Sequence, residues 1–274
     1  MLFEKLRDYA MPNRFAVMGN PIAHSLSPYI HHCFAKQTGI ELSYERILIP
    51  EENFETQVTH FFVQGGKGLN ITLPFKQRAF ELAALKTPRC QQAKAANTLW
   101  MSASQLHADN TDGIGLLRDL VKYQKIEGKR VLLLGAGGAA RGIIGPLLEA
   151  KIAELTLVNR TEDRAKALQA DFPSLKCSRL TELTGQYDLI INATSASLGE
   201  ANLALPPSVL TSSTLCYDLA YNKDGLTPFV QWARQEGVVG LDGLGMLVEQ
   251  AAEAFFIWHG VRPETEAVLK SLRG

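Results

Sequence analysis

The chain has 274 residues, 46% of them hydrophobic, and its 28 Lys plus Arg are balanced by 28 Asp plus Glu. That length allows one or two domains, and a formal net charge of zero gives no overall pull toward nucleic acid or an anionic membrane surface. No apolar run nears the roughly 20 residues needed to span a bilayer. The N-terminus, MLFEKLRDYA, carries acidic charges and no continuous apolar stretch, so it is not read as a secretory signal, and cytoplasm is the expected compartment. Cys33, Cys90, Cys177 and Cys216 are widely spaced, form no C-x-x-C pair and have apolar neighbours. They read as free thiols, and no metal site is expected.

Residues 1–13 read as an extension, with Met11 as an alternative start. Phe15 to Met18 is a short apolar strand running into Gly19-Asn20-Pro21, and a helix from Pro28 to Thr38 stops at Gly39. Tyr44 to Ile49 reads as a strand, 51–63 as a helix and Gly68 to Thr72 as a strand, followed by a helix opening at Pro74. Asn97 to Met101 and Gln105 to Ala108 form a hairpin across Ser102–Ser104. A second series begins after Asp112. Ile114, Leu117, Leu120 and Val121 have helical spacing over 113–123, and Arg130 to Leu134 is a continuous apolar run of the kind found in parallel strands covered on both faces. Further strands are expected at 154–158, 187–191, 214–219 and 237–240, and a last long helix from about Met246 to His259. The alternation predicts an α/β protein built of βαβ units.

After the strand ending at Leu134, Gly135, Gly137 and Ala140 match G-x-G-x-x-G/A and open a helix. Such a turn allows close backbone approach to a pyrophosphate and offers it exposed N–H groups and the helix dipole. The strand 155–158 then ends in Asn159-Arg160-Thr161, where an NAD-preferring sequence usually places an acid. Arg160 and Arg164 suit a 2′-phosphate, so NADP is the expected cofactor.

Three constellations precede that turn. In Asn20-Pro-Ile-Ala-His24-Ser25-Leu-Ser27-Pro28, Ser27 before Pro28 reads as a helix N-cap, and the two hydroxyls could also hold a carboxylate. His24 beside a serine suggests a hydrolase, but the chain contains no G-x-S-x-G elbow. Asn70 and Thr72 alternate on one face of a strand end, and Lys76 falls in the first turn of the next helix, where a cation opposes the helix dipole. Asn97-Thr98 and Asn110-Thr111-Asp112-Gly113 form the third. Thr111 and Asp112 read as helix caps, yet Asp112 could also meet Lys76 across a cleft between two domains as a proton-handling pair.

Together, GNPIAHSLSP, NITLPFK, ANT, NTDG, GAGGAARG, NRT, NATS, the Tyr217–Tyr221 segment and GLGMLVEQAAEAF resemble the shikimate dehydrogenase family, in order from about residue 15 to 260. One departure is Ala196-Ser197-Leu198 after NATS, in a loop that borders the nicotinamide in the family, which more often shows Gly-Met there. The start is also longer than usual. The resemblance implies a substrate-binding and catalytic domain over 1–112 completed by a C-terminal helix at 248–274, and a Rossmann-like NADP-binding domain over 113–247. It implies reversible NADPH-dependent reduction of 3-dehydroshikimate to shikimate, in aromatic amino acid biosynthesis, by a monomer or homodimer. Ser25 and Ser27 would bind the carboxylate with Tyr221 nearby, and Asn70, Thr72, Asn97, Asp112 and Gln250 the ring hydroxyls. Lys76 and Asp112 would handle the proton. Gly135, Ala136, Gly137, Gly138, Ala139, Asn159, Arg160, Thr161, Arg164 and Gly243 would hold the cofactor. Two alternatives remain open: a quinate/shikimate dehydrogenase preferring NAD, and a non-catalytic dinucleotide-binding module.

Overall fold

In a computed structural model, the structure describes residues 13–194, 205–222 and 225–274. The extension read at the start, apart from Asn13, and the Ala196–Leu198 departure lie outside the described residues. The chain divides into two compact units. The first comprises residues through Thr87, Ala96–Asp109 and Ala251–Gly274. The second comprises Pro88–Ala95 and Asn110–Gln250.

The first unit holds a six-stranded mixed sheet ordered β2-β1-β3-β5-β6-β4. These strands are β1 (Asn13–Gly19), β2 (Leu42–Leu48), β3 (Gly68–Ile71), β4 (Leu85–Lys86), β5 (Thr98–Ser102) and β6 (Gln105–Asp109). β1 pairs in parallel with β2 and β3, whereas β5 runs antiparallel to β3 and β6. Helix α1 (Ser27–Thr38) ends at Gly39, whose φ of 68° lies in the left-handed region that glycine adopts without a Cβ penalty. α2 (Phe54–Val63) follows a 3-10 turn at Glu51–Asn53. α3 starts at Lys76 (Lys76–Leu82), two residues later than the sequence predicts. Pro74 lies in a turn closed by Phe75 N–H donating to Thr72 O at 3.0 Å, so the residues after the proline must complete that turn before helical bonding begins.

The second unit has a wholly parallel sheet ordered β12-β11-β10-β7-β8-β9. Its strands are β7 (Arg130–Leu134), β8 (Glu154–Val158), β9 (Lys176–Ser178), β10 (Leu189–Asn192), β11 (Leu215–Asp218) and β12 (Val239–Leu241). Numbered from β7, the order is 3-2-1-4-5-6 reversed, the doubly wound dinucleotide-binding arrangement. Val131 and Leu133 belong to one apolar cluster and Leu132 and Leu134 to another, so the strand is covered on both faces. α4 (Pro88–Ala93) belongs to this unit; α5 (Asp112–Leu120), α6 (Gly138–Glu149) and α7 (Glu162–Asp171) supply the first cluster, and α8 (Pro228–Gln235) the second. α9 (Leu244–His259) begins in this unit and continues into the first, where α10 (Glu266–Arg273) lies. Among the described residues, no helix is long and apolar enough to cross a membrane.

Candidate functional site

In the second unit, β7 delivers the chain into the Gly-rich turn. Gly135 has a φ of 101°, and a Cβ there would lie 3.0 Å from the Ala193 carbonyl, so the turn is closed to other residues. Gly137 precedes α6 with open space where a Cβ would stand, and the first turn of α6 carries no acid. The helix N-terminus, formed by Gly138 and Ala139, therefore offers uncovered N–H groups and positive dipole to an anion. Asn159 is a strut here. Its Oδ1 accepts from Ala136 N–H at 3.1 Å and its Nδ2 donates to Thr161 O at 2.7 Å. Thr161 precedes α7 without a side-chain cap bond. Arg160 and Arg164 are exposed and form no ion pair among the described residues, whereas Arg141 and Arg179 are paired with Asp171 and Glu162 at 2.7 Å. A glycine cradle, a free helix terminus and two uncommitted guanidiniums fit a phosphorylated dinucleotide. Gly243 is buried, and a Cβ on it would come within 2.2 Å of Leu219 O.

The same unit carries Asp112, 4% exposed, at the start of α5. The expected cap bond at Thr111 is not made, and Asp112 is the first residue of the helix rather than its cap. Instead Asn110 Oδ1 accepts from Asp112 N–H at 3.1 Å, because the helical backbone of Thr111 leaves its hydroxyl directed elsewhere. That hydroxyl donates to Gln250 Oε1 at 3.3 Å, which brings Gln250 beside the Asn110–Asp112 segment. Tyr221 is half-buried in the chain following β11. That chain is anchored by Asp218, which lies within the Tyr217–Tyr221 segment but to which the sequence assigns no role. Its fully buried carboxylate accepts from Thr227 Oγ1 at 2.6 Å, Ala220 N–H at 3.1 Å and Asn192 Nδ2 at 3.2 Å.

In the first unit, Ser27 is not the cap. Leu26 precedes the helix, Ser27 is its first residue, and Ser25 Oγ accepts from Ser27 N–H at 3.3 Å. The helical backbone at Leu26 shifts the boundary by one, so the hydroxyl two residues back meets the amide. The two hydroxyls lie 3.2 Å apart, with Ser25 half-buried and Ser27 buried. Asn70 is buried, donating both amide hydrogens to Asn97 O at 3.1 Å and Thr98 Oγ1 at 3.2 Å while its Oδ1 accepts from Tyr44 OH at 2.7 Å and keeps one further acceptor position. Thr98 Oγ1 donates in turn to Asn97 Oδ1 at 2.9 Å. Asn70 and Asn97 are thus joined through one buried polar chain that also holds Tyr44. Burial pushes the Tyr44 phenol well above its usual range, opposed by a hydrogen bond with Ser27, so it stays a neutral donor. Tyr44 was legible only as a strand residue, since its partner lies 26 positions away. Thr72 and Lys76 are half-buried, and Lys76 O accepts from Ala96 N–H at 2.8 Å. Among the described residues, no group of three His, Cys, Asp or Glu side chains is placed to hold a metal.

This sheet order and this turn define a Rossmann-type dinucleotide-binding protein with a second α/β unit bearing a buried polar cluster. Three family descriptions match the chain: the shikimate dehydrogenase substrate binding domain at 17–99, shikimate / quinate 5-dehydrogenase at 119–219, and the shikimate 5′-dehydrogenase C-terminal domain at 243–273. The chain is 59% identical to shikimate dehydrogenase (NADP(+)) of Legionella pneumophila strain Lens, over 96% of this chain and 99% of that one. Shikimate 5-dehydrogenase from Thermus thermophilus, solved with NADP(H) and shikimate, is 33% identical with a TM-score of 0.85, covering 95% of this chain and 98% of that one. An Ael1 enzyme from Pseudomonas putida is 48% identical with a TM-score of 0.87 over the same shares. The chain belongs to the shikimate dehydrogenase family.

Proposed function

We propose that this protein catalyses the reversible NADPH-dependent reduction of 3-dehydroshikimate to shikimate, as an enzyme of aromatic amino acid biosynthesis in the cytoplasm, acting as a monomer or homodimer. The observation that carries this reading is the near full-length identity to an NADP-dependent shikimate dehydrogenase. Substrate binding is assigned to residues 1–112 with 248–274, and cofactor binding to 113–247.

Shikimate has one carboxylate and three hydroxyls, one of them a ketone in 3-dehydroshikimate, so it calls for many neutral donors and acceptors and few charges. Ser25 and Ser27 take the carboxylate, with Tyr221 near it. Asn70, Thr72, Asn97, Asp112 and Gln250 hold the hydroxyls. Because Asn70 is fixed by Tyr44, Asn97 and Thr98, its amide need not reorganise when substrate arrives. The Gly135–Ala139 turn would hold the pyrophosphate, Arg160 and Arg164 with Asn159 and Thr161 would hold the adenosine ribose and its 2′-phosphate, and Gly243 would complete the cofactor site. NADPH, when bound, supplies hydride to the carbonyl carbon. As negative charge develops on the substrate oxygen, the Lys76 ammonium stabilises it and, with Asp112, delivers the proton.

The test is to follow NADPH absorbance with purified protein, pairing shikimate or quinate with NADP or NAD. Turnover of shikimate with NADP supports the reading. Preference for NAD or quinate would favour the quinate/shikimate alternative, and no turnover of any pair a dinucleotide-binding module.

A further inference from the structure

β2 is an edge strand of the first unit's sheet, and its side chains alternate between faces. Tyr44 and Arg46 therefore project to the same side, and both meet the chain that opens α1. Tyr44 interacts with Ser27. Arg46 Nε donates to Ser25 O at 2.7 Å. The guanidinium is consequently fixed against the backbone of the serine whose hydroxyl faces Ser27 at 3.2 Å.

Its charge is uncommitted. Arg14, Arg78 and Arg262 of the same unit form ion pairs with Glu45, Glu55 and Glu253. Arg46 forms none among the described residues, and it makes no hydrogen bond there beyond the one to Ser25 O. Its neighbour Glu45 is taken by Arg14 at 2.8 Å. The first turn of α1 also lacks an acid. Hydroxyls can orient an anion but cannot neutralise it. A guanidinium beside them, anchored by Nε, keeps its terminal amino groups available as charged donors.

We propose that Arg46 supplies the positive charge of the carboxylate subsite formed by Ser25 and Ser27, and thereby selects an anionic substrate over a neutral one. This rests on the reading of those serines as the carboxylate site. Because Arg46 is exposed, its contribution is modest and screened by salt. Arg46→Gln should raise KM for shikimate about three- to tenfold at low ionic strength, leaving kcat and the KM for NADP within about twofold. The ratio to wild type should approach one at about 0.5 M salt. The uncharged methyl ester of shikimate should show the same KM for both proteins. Arg46→Lys keeps the charge without the Nε bond and should recover most of the loss, which separates charge from support of the Ser25 backbone. An unchanged shikimate KM in Arg46→Gln, or an equal loss on the ester, overturns the proposal. Failure of the wild type to oxidise shikimate with NADP refutes the underlying activity and the proposal with it. Normal wild-type turnover with an indifferent variant refutes the role of Arg46 alone.

Discussion

His31 should make the protein sensitive to mild acid. Its ring is fully buried, stacked on Tyr44 at 4.3 Å and 9°, with Phe34, Phe255 and Trp258 around it. Neither ring nitrogen has a hydrogen-bond partner among the described residues. Burial, helped by His259 and His32 and opposed by Asn70, lowers its pKa from 6.5 to about 3. The unfolded chain therefore takes up a proton below 6.5 that the folded protein refuses down to about 3. This stability is present above 6.5 and is lost progressively as pH falls. Linkage puts the loss between pH 7 and pH 5 at about 2 kcal/mol from this one residue. His31→Phe should remove that part of the acid sensitivity while keeping a stacked ring beneath Tyr44. Urea unfolding of both proteins at pH 7 and pH 5 gives the double difference. Groups that titrate in both proteins largely cancel, including His259, whose pKa burial also lowers. Equal acid losses in the two proteins, or a His31 proton resonance titrating near 6.5 in the folded state, would refute the reasoning.

Lys76→Ala should lower kcat by about 10²–10⁴, the range for a positioned proton-transfer group, with cofactor affinity unchanged by fluorescence titration. Retained turnover would make Lys76 a surface residue. Ser25→Ala should weaken shikimate binding by roughly 0.5–3 kcal/mol and, since Ser25 Oγ also receives Ser27 N–H, cost about 1 kcal/mol of stability in a chemical melt. A stability loss with an unchanged KM would reduce Ser25 to a local strut. Changing Arg160 and Arg164 together to Gln should cost NADPH about 2 kcal/mol, or roughly 30-fold, the lower end for charged hydrogen bonds because both are exposed. NADH affinity should barely move, and an equal fall for both cofactors would assign the arginines to the fold.

The parallel sheet was legible because strands buried on both faces have little freedom to be polar. Leu132, Leu133 and Leu134 alternate between two apolar clusters, so the sequence shows an unbroken run. Short edge strands carry a weaker signature, and of those only β12 was expected, within 237–240. β9 reads Lys176-Cys-Ser178 and β4 only Leu85-Lys86, and neither was anticipated. Candidate site residues were legible where they follow a strand end or open a helix, as Gly135, Arg160 and Lys76 do. Those that act through a distant neighbour were not. Tyr44 reaches Asn70, and Arg46 reaches the backbone of Ser25, by the register of β2 against β1, which no local pattern encodes. The helix caps failed for a related reason. A Ser or Thr before a helix caps it only from an extended backbone, and both Leu26 and Thr111 are helical there.

The glycines of α6 also serve helix packing. Beyond the turn, a Cβ on Gly142 would come within 3.0 Å of Asp112 Oδ2 and 2.8 Å of Asn110 Oδ1. One on Gly145 would meet Gln92 Oε1 at 1.9 Å. Reciprocally, a Cβ on Gly113 of α5 would lie 2.2 Å from Pro146 Cγ and 2.6 Å from Gly142 O. That carbonyl has lost its usual helical donor, since Pro146 has no N–H. α5 and α6 therefore approach closely at Gly113 and Gly142, and this contact places Asp112 beside α6. The two glycines of the turn are proposed to answer to the cofactor, whereas Gly142 makes room for Asp112, the residue proposed to share the proton with Lys76. One helix thus carries the proposed phosphate cradle at its start and, one turn on, the glycine that makes room for Asp112. Enlarging Gly142 would displace Asp112 without touching the phosphate cradle at Gly135 and Gly137.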